Sequence, residues 1–257
     1  GAPEEILYVS KPHIGTFKLV GMVEKMRAKL IELGGEIRFN SRVDDLHIEN
    51  GQITGLTLAN GDQIQSKYIA LATGHSARDT FEMLYNKGVY LEAKPFSIGF
   101  RVEHNQSSID EVLFGKNAGN EILGAADYKL VHHCKNGRSV YSFCMCPGGY
   151  VLSSGTENGS LVCNGMSNYK RNSKFANSAV VVSIDHKKLF GDKIFAGEKY
   201  RQKIEQDAYN SVINAGGSKE LPVQKLLDFM TNKTSTDLKK GSSPSGQVAV
   251  NLSELLP

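Results

Sequence analysis

Apolar residues near the start of the chain change their spacing from one segment to the next. Over residues 16–33 they recur at every third or fourth position, which predicts an amphipathic helix that begins at Thr16. Over residues 36–66 they alternate with polar residues, and two Asn-Gly pairs interrupt the alternation. Asn-Gly is a strong signal for a tight hairpin turn. The pattern therefore predicts a helix followed by an antiparallel meander.

A third apolar run occupies residues 69–71 and leads directly into Ala72, Thr73 and Gly74. We interpret it as a buried strand that ends in a turn of small residues, where the backbone can approach a large ligand closely. Taken alone, the turn favours the simpler interpretation that it only requires a glycine. A Gly-x-Gly-x-x-Gly loop, the usual phosphate-binding signature, does not occur in the sequence.

Beyond residue 88 the pattern predicts a second domain with a mainly antiparallel sheet. Strands are predicted at residues 96–103, 128–133, 138–144, 161–164 and 178–184, and helices at residues 107–114 and 197–214. The polar, turn-rich residues 231–248 predict a linker or a mobile loop, because they contain too few apolar residues to order themselves.

Together these elements predict a fold class that combines α/β with α+β. We expect residues 1–88 to form part of a doubly wound layer, with the meander as an antiparallel excursion from it. Residues 89–231 would form a central domain, and residues 232–257 a linker and a return segment.

Composition and charge exclude several classes of protein. The 257 residues carry 30 Lys and Arg against 27 Asp and Glu, scattered along the chain, so neither nucleic acid nor an anionic membrane is an expected partner. The longest aliphatic run is far shorter than the roughly 20 residues that cross a membrane. Without an export signal, we expect a cytoplasmic protein with reduced cysteines. The four cysteines lack the spacing of a metal site, so no metal is predicted.

Four residues could carry chemistry, and each has a structural alternative. His13 could donate a proton, or it could cap or pack at the start of the first helix. Cys144 and Cys146 would share one face of a regular strand. A thiol pair could exchange electrons with a redox cofactor, whereas free cysteines often pack as small hydrophobic residues. Arg101 could bind a substrate carboxylate, or it could form an exposed ion pair.

Six short motifs follow one another along the chain. They read KPHIGT, LGGEIRF, ATGHSARD, KPF, GAADYK and CMCPGG, and they begin at Lys11, Leu33, Ala72, Lys94, Gly124 and Cys144. In this order they resemble a bacterial family described as uncharacterised FAD-dependent, or NAD(FAD)-utilising, dehydrogenases. The resemblance covers nearly the whole chain.

The resemblance implies a two-part flavoprotein, with an FAD/NAD(P)-binding domain and an inserted central domain on the substrate side. It implies an oxidoreductase that acts on a small molecule, with FAD as cofactor and NAD(P)H as electron donor. This sequence would be an internal piece that lacks the N-terminal glycine-rich loop, inactive by itself and unable to retain FAD. The resemblance places Val43 at a backbone contact to the adenine and Ala72, Thr73 and Gly74 along the dinucleotide. It does not supply the substrate. Our own candidates are His13, Cys144 and Cys146 for catalysis and Arg101 and Lys129 for substrate binding.

Two other functions are compatible with the same residues. The protein could be a non-catalytic binding module that kept the fold of a flavoprotein and lost its chemistry. It could also be a thiol-based redox or metal protein that uses Cys134, Cys144 and Cys146.

Overall fold

The computed structural model describes residues 4–9, 12–155 and 157–255. The chain forms two compact units. The larger unit consists of Gly1–Glu24 and Ala93–Pro257, and the smaller unit of Lys25–Glu92. The division falls within helix α1 (Thr16–Glu32), which has nearly the bounds that its apolar spacing predicts. The predicted division into three segments remains a prediction.

The smaller unit contains the predicted antiparallel meander. Strands β1 (Val43–Glu49), β2 (Gln52–Leu58) and β3 (Gln63–Gln65) are neighbours in that order. Asn50 and Gly51 have φ angles of 50° and 76°, because a two-residue hairpin of this kind requires positive φ at both positions. Helix α2 (Arg78–Asn86) follows the meander.

Two predicted strands of the smaller unit do not form. Residues 36–40 and residues 69–72 are not part of any sheet. A strand needs a neighbour that pairs with its backbone groups, and neither segment has one within the described residues. A doubly wound parallel layer is therefore not observed in the described part of the chain.

The larger unit contains the remaining elements. After the short 3-10 helix Glu4–Leu7 and the first half of α1, they are β4 (Phe96–Asn105), α3 (Gln106–Phe114), the 3-10 helix Gly115–Asn117, β5 (Val131–His133), β6 (Ser139–Cys146), β7 (Gly149–Ser153), β8 (Cys163–Ser167), β9 (Phe175–Ile184), α4 (His186–Phe190), α5 (Ala196–Asn214), β10 (Leu221–Val223), α6 (Leu226–Met230), β11 (Gln247–Ala249) and the 3-10 helix Leu252–Glu254.

The main sheet of the larger unit has the order β4-β9-β6-β5, and all of its pairs are antiparallel. Strands β7 and β8 form a separate antiparallel ribbon. The predicted combination of helices with antiparallel sheets is thus confirmed. A buried cluster of Leu161, Ala208, Val212 and Leu221 joins α5 to β10.

Residues 231–248, which the sequence predicts to be a linker or mobile loop, are tied to the larger unit. Strand β11 pairs with β10 in parallel. Ser235 is 3% exposed, and its hydroxyl donates to Asp228 Oδ2 at 2.7 Å and accepts from the Lys225 backbone N–H at 2.8 Å. The prediction counted only apolar residues, whereas buried polar groups hold this segment.

Candidate functional site

A cavity of about 280 Å³ lies in the larger unit, and we call it the Arg101 cavity. Strand β4 contributes Arg101 and Glu103, which point to the same face because side chains alternate along a strand. The opposite walls come from β7, β8, α5 and β10. Most of the lining is apolar and includes Phe100, Val151, Leu161, Ile204, Ala208 and Val223.

The guanidinium of Arg101 is held from one side. Its Nη1 donates to Asn177 Oδ1 at 2.7 Å and to the Cys144 carbonyl oxygen at 3.2 Å. Asn177 lies on β9 and is completely buried, so it is a fixed support. Within the described residues, both oxygen acceptors of Arg101 are bonded through Nη1, no carboxylate is paired with it, and the Cys146 thiol is a further hydrogen-bond neighbour, whose pKa this contact lowers. The edge formed by Nε and Nη2 has no oxygen acceptor among these residues. This edge, with two parallel N–H groups, has the geometry that binds a carboxylate.

Gly165 on β8 makes room for this arrangement. A Cβ atom at position 165 would overlap Asn177 Oδ1 and Arg101 Nη1, and it would lie 2.9 Å from Cys146 Sγ. Any side chain here would therefore displace the guanidinium or its support. The sequence predicts a strand ending at residue 164 but contains no signal that Gly165 approaches Arg101.

Glu103 is held by a different segment. Its carboxylate accepts from the Ser242 backbone N–H at 3.1 Å and 3.2 Å, and also from the Ser242 hydroxyl. Ser242 Oγ in turn accepts from the Val151 backbone N–H at 2.9 Å. Although Arg101 and Glu103 line one cavity, the structure records no ion pair between these two described side chains. The neighbouring Ser243 hydroxyl also lines the cavity and is buried without a partner among the described residues.

A second pocket of about 360 Å³, which we call the His13 pocket, brings two predicted catalytic residues together. His13 and Cys146 both line it, along with Thr16 and Arg171. The His13 ring is held through Nε2, which lies 2.9 Å from the Asn168 carbonyl oxygen. The structural alternative for His13, packing at the start of the helix, is therefore also compatible with its position.

The strand that carries Cys144 and Cys146 is not regular. The pairing of β6 with β9 jumps from Phe143↔Ala179 to Cys146↔Asn177, which leaves one more residue on β6 than on β9. Cys144 has a φ of 46°, an unusual value for a residue other than glycine. The regular strand on which a shared face of the two thiols depends is therefore not present at this point of β6. Cys144 instead contributes its carbonyl oxygen to the support of Arg101.

Burial dominates the acidity of the thiols near Arg101. It raises the pKa of Cys146, while the positive charge of Arg101 lowers that pKa by less and Cys144 raises it further. Burial also raises the pKa of Cys163, again against a smaller lowering by Arg101. Cys163 lines the Arg101 cavity, and the residue as a whole keeps solvent-exposed surface. Nothing in the sequence distinguishes Cys163 as a functional residue, because a lone cysteine on a strand carries no signal of its own.

The same charge acts on Tyr128. Burial raises the pKa of this phenol, and a hydrogen bond with Ser178 and the charge of Arg101 oppose the rise. Arg101 is thus a source of positive potential for three titratable neighbours. Lys129, which the sequence predicts together with Arg101 as a substrate-binding residue, is exposed and lines neither cavity.

The residues predicted to contact a dinucleotide lie in the smaller unit. Ala72, Thr73 and Gly74 are exposed, and Gly74 has a φ of 76°. A Cβ built on Gly74 would meet nothing within 4 Å. Val43 is half-buried at the start of β1 and pairs with Leu58. Small side chains and open space fit the approach of a dinucleotide to the backbone, although this sequence lacks the usual loop for its phosphates.

The described ranges contain neither a membrane-spanning helix nor a cluster of metal ligands. No helix there has the length and apolar character to cross a membrane. No three His, Cys, Asp or Glu side chains in the same ranges gather to hold a metal ion.

Comparisons with known proteins identify one family and one uncharacterised relative. The family described as "FAD-dependent protein, C-terminal domain-like" matches residues 95–257. An uncharacterised protein of Clostridium beijerinckii (strain ATCC 51743 / NCIMB 8052) is 41% identical over 260 residues. That match covers 100% of this chain and 48% of the relative, so the chain spans about half the length of the relative. Because the family match covers more than half of the chain, this chain belongs to the FAD-dependent protein, C-terminal domain-like family.

Proposed function

We propose that the protein is an FAD-dependent dehydrogenase in which the larger unit binds a small organic substrate. The observation that supports this most is the guanidinium of Arg101, held through Nη1 by Asn177 and the Cys144 carbonyl, at a mostly apolar cavity of about 280 Å³. Small-molecule sites commonly combine apolar walls with a few oriented polar groups. In an FAD-dependent family, such a cavity is best explained as a substrate site.

We propose roles for six of the candidate residues and for the flavin. FAD, when bound, would accept or release a hydride, with NAD(P)H as the electron donor. Val43, Ala72, Thr73 and Gly74 would contact the dinucleotide along the backbone. Arg101 would bind a carboxylate of the substrate. His13 is the proposed proton donor, because an imidazole titrates near neutral pH.

We also propose that this chain is the central part of a longer flavoprotein. The relative is about twice as long, and this sequence lacks a glycine-rich phosphate loop. Residues outside this chain would then hold the flavin phosphates. The chain by itself is therefore not expected to retain FAD.

The test is to purify the protein at the length of its relative and to record its absorbance spectrum. We expect flavin absorbance, and we expect NADH or NADPH to bleach it in the absence of oxygen. A stable, colourless product would contradict the proposal. A flavin that no nicotinamide donor reduces would favour the non-catalytic binding module instead.

The thiol-based alternative gains no support from the acidity of Cys146 and Cys163. The thiolate is the reactive form, and burial raises the pKa of both residues. Little thiolate is therefore expected at neutral pH. Unchanged flavin reduction in Cys146→Ser would exclude a redox role for that thiol.

A further inference from the structure

Arg101 and Glu103 form a separated pair of opposite charges. They lie two residues apart on one face of β4, because side chains alternate along a strand. Each is held by other groups instead, Arg101 by Asn177 and the Cys144 carbonyl, and Glu103 by Ser242. Both side chains line the same cavity, so its wall carries a fixed positive and a fixed negative group.

The charges of the cavity disfavour a simple anion as its ligand. Arg101 is the cation among the described lining residues, whereas Glu103 and Glu205 are both carboxylates. A ligand with one negative charge would satisfy Arg101 and increase the negative charge of the cavity. A ligand that carries both charges would satisfy Arg101 and also interact favourably with Glu103.

The remaining features of the cavity limit the size and polarity of the ligand. A volume of about 280 Å³ holds about nine groups of water size at about 30 Å³ each. The walls between the charged residues are apolar. The buried hydroxyl of Ser243 has no partner among the described residues, so a polar group of the ligand would satisfy it.

We propose that the Arg101 cavity binds an apolar α-amino acid as a zwitterion. The carboxylate pairs with the Nε–Nη2 edge of Arg101, the ammonium lies toward Glu103, and the side chain occupies the apolar wall. A saturated amino acid cannot accept a hydride, so with NAD(P)H as donor it would be the product of the proposed reaction, formed when the corresponding iminium acid takes a hydride from the reduced flavin at carbon and a proton from His13 at nitrogen. That role rests on the proposed function, whereas the binding itself does not.

Four compounds with the same hydrocarbon skeleton test the charge requirement. L-norleucine and D-norleucine carry both charges, hexanoate carries only the carboxylate, and hexylamine only the ammonium. Binding is measured by calorimetry on the purified protein. We expect one norleucine enantiomer to bind at least about tenfold more tightly than hexanoate or hexylamine, because each lost charged hydrogen bond costs about that factor.

A second measurement locates the binding site without any redox reaction. Cys163 lines the cavity, so norleucine should slow its alkylation by iodoacetamide, followed by mass spectrometry. Cys134 lines neither cavity and serves as the reference thiol. Equal alkylation rates of Cys163 with and without bound norleucine would overturn the proposed location.

Variants separate the two charges. Arg101→Gln should remove binding of norleucine and hexanoate, and Arg101→Lys, which keeps the charge, should restore part of it. Glu103→Gln should reduce the preference for norleucine over hexanoate. Arg138→Gln, which removes an exposed arginine that lines neither cavity, should change neither the binding of norleucine nor its preference over hexanoate.

Two results with the native protein would show that the inference is wrong. One is that hexanoate or hexylamine binds as tightly as norleucine, and the other is that none of the four compounds binds.

The outcome is independent of the dehydrogenase proposal. Norleucine binding to a protein that has the length of its relative and still contains no flavin would support the zwitterion site and contradict the proposed function. A protein that contains a reducible flavin but does not bind norleucine would support the proposed function and contradict the zwitterion site.

Discussion

Gly165 leaves the space in which Arg101 Nη1 meets Asn177 Oδ1. Alternation along β4 is sufficient to predict that Arg101 and Glu103 share a face. The approach of Gly165 joins residues far apart in the chain, and no local pattern encodes it. The bulge at Cys144 is equally invisible, since glycine is the usual residue at a positive φ.

The same substitution at two glycines should have opposite effects on stability. Gly165→Ala would force a Cβ onto Asn177 and Arg101, and overpacking of this kind costs about 1–3 kcal/mol. Gly21→Ala lies within α1, where a Cβ meets nothing within 4 Å, and should stabilise the helix by about 0.5–1 kcal/mol. Urea denaturation of both variants measures the difference. A Gly165→Ala protein as stable as the native one would show that the site can rearrange.

At the scale of elements, local sequence signals predict helices and hairpins, whereas pairings between segments distant in the chain have no such signal. The apolar spacing predicts α1 although none of its residues is buried, and Asn50-Gly51 predicts the β1–β2 hairpin. The parallel pairing of β10 with β11 could not be predicted, because it joins short strands separated by a polar segment. The predictions of strands at residues 36–40 and 69–72 fail for the same reason, because a pattern of apolar residues does not reveal whether a neighbouring strand is present to pair with.

The polar anchor of residues 231–248 can be tested at Ser235. Ser235→Ala removes the acceptor of the Lys225 N–H and the donor to Asp228, and leaving such groups unsatisfied costs about 1–3 kcal/mol. The matched control is Thr236→Ala at an exposed neighbouring position, where a change within about 0.5 kcal/mol is expected. Chemical denaturation measures both. Equal losses in the two variants would mean that Ser235 does not anchor the segment.

For the whole molecule, three acidic groups whose pKa values are raised by burial should make the folded protein less stable at alkaline pH. Burial raises the folded-state pKa of Tyr128, Cys146 and Cys163 above their values in the unfolded chain. The folded protein then holds more protons than the unfolded one in this range, so its stability falls as pH rises. Their contribution is complete below the ordinary thiol pKa of about 8.5 and is lost above it.

We therefore expect the free energy of unfolding to decline from pH 8.5 or so upward, as measured by urea denaturation at a series of pH values. Cys146→Ser should reduce the decline, because it removes one of the three groups. Comparison of both proteins at neutral pH separates this effect from any general loss of stability. A decline of equal steepness in the variant would contradict the assignment to Cys146.

The bond between Glu103 and Ser242 also has a consequence for biosynthesis. The two residues are 139 positions apart, so the contact closes only after most of the larger unit has been made. Chains emerge from the ribosome N-terminus first, and contacts of such long range tend to form late. A nascent polypeptide would thus remain unable to capture a small molecule in the Arg101 cavity until Ser242 has been translated.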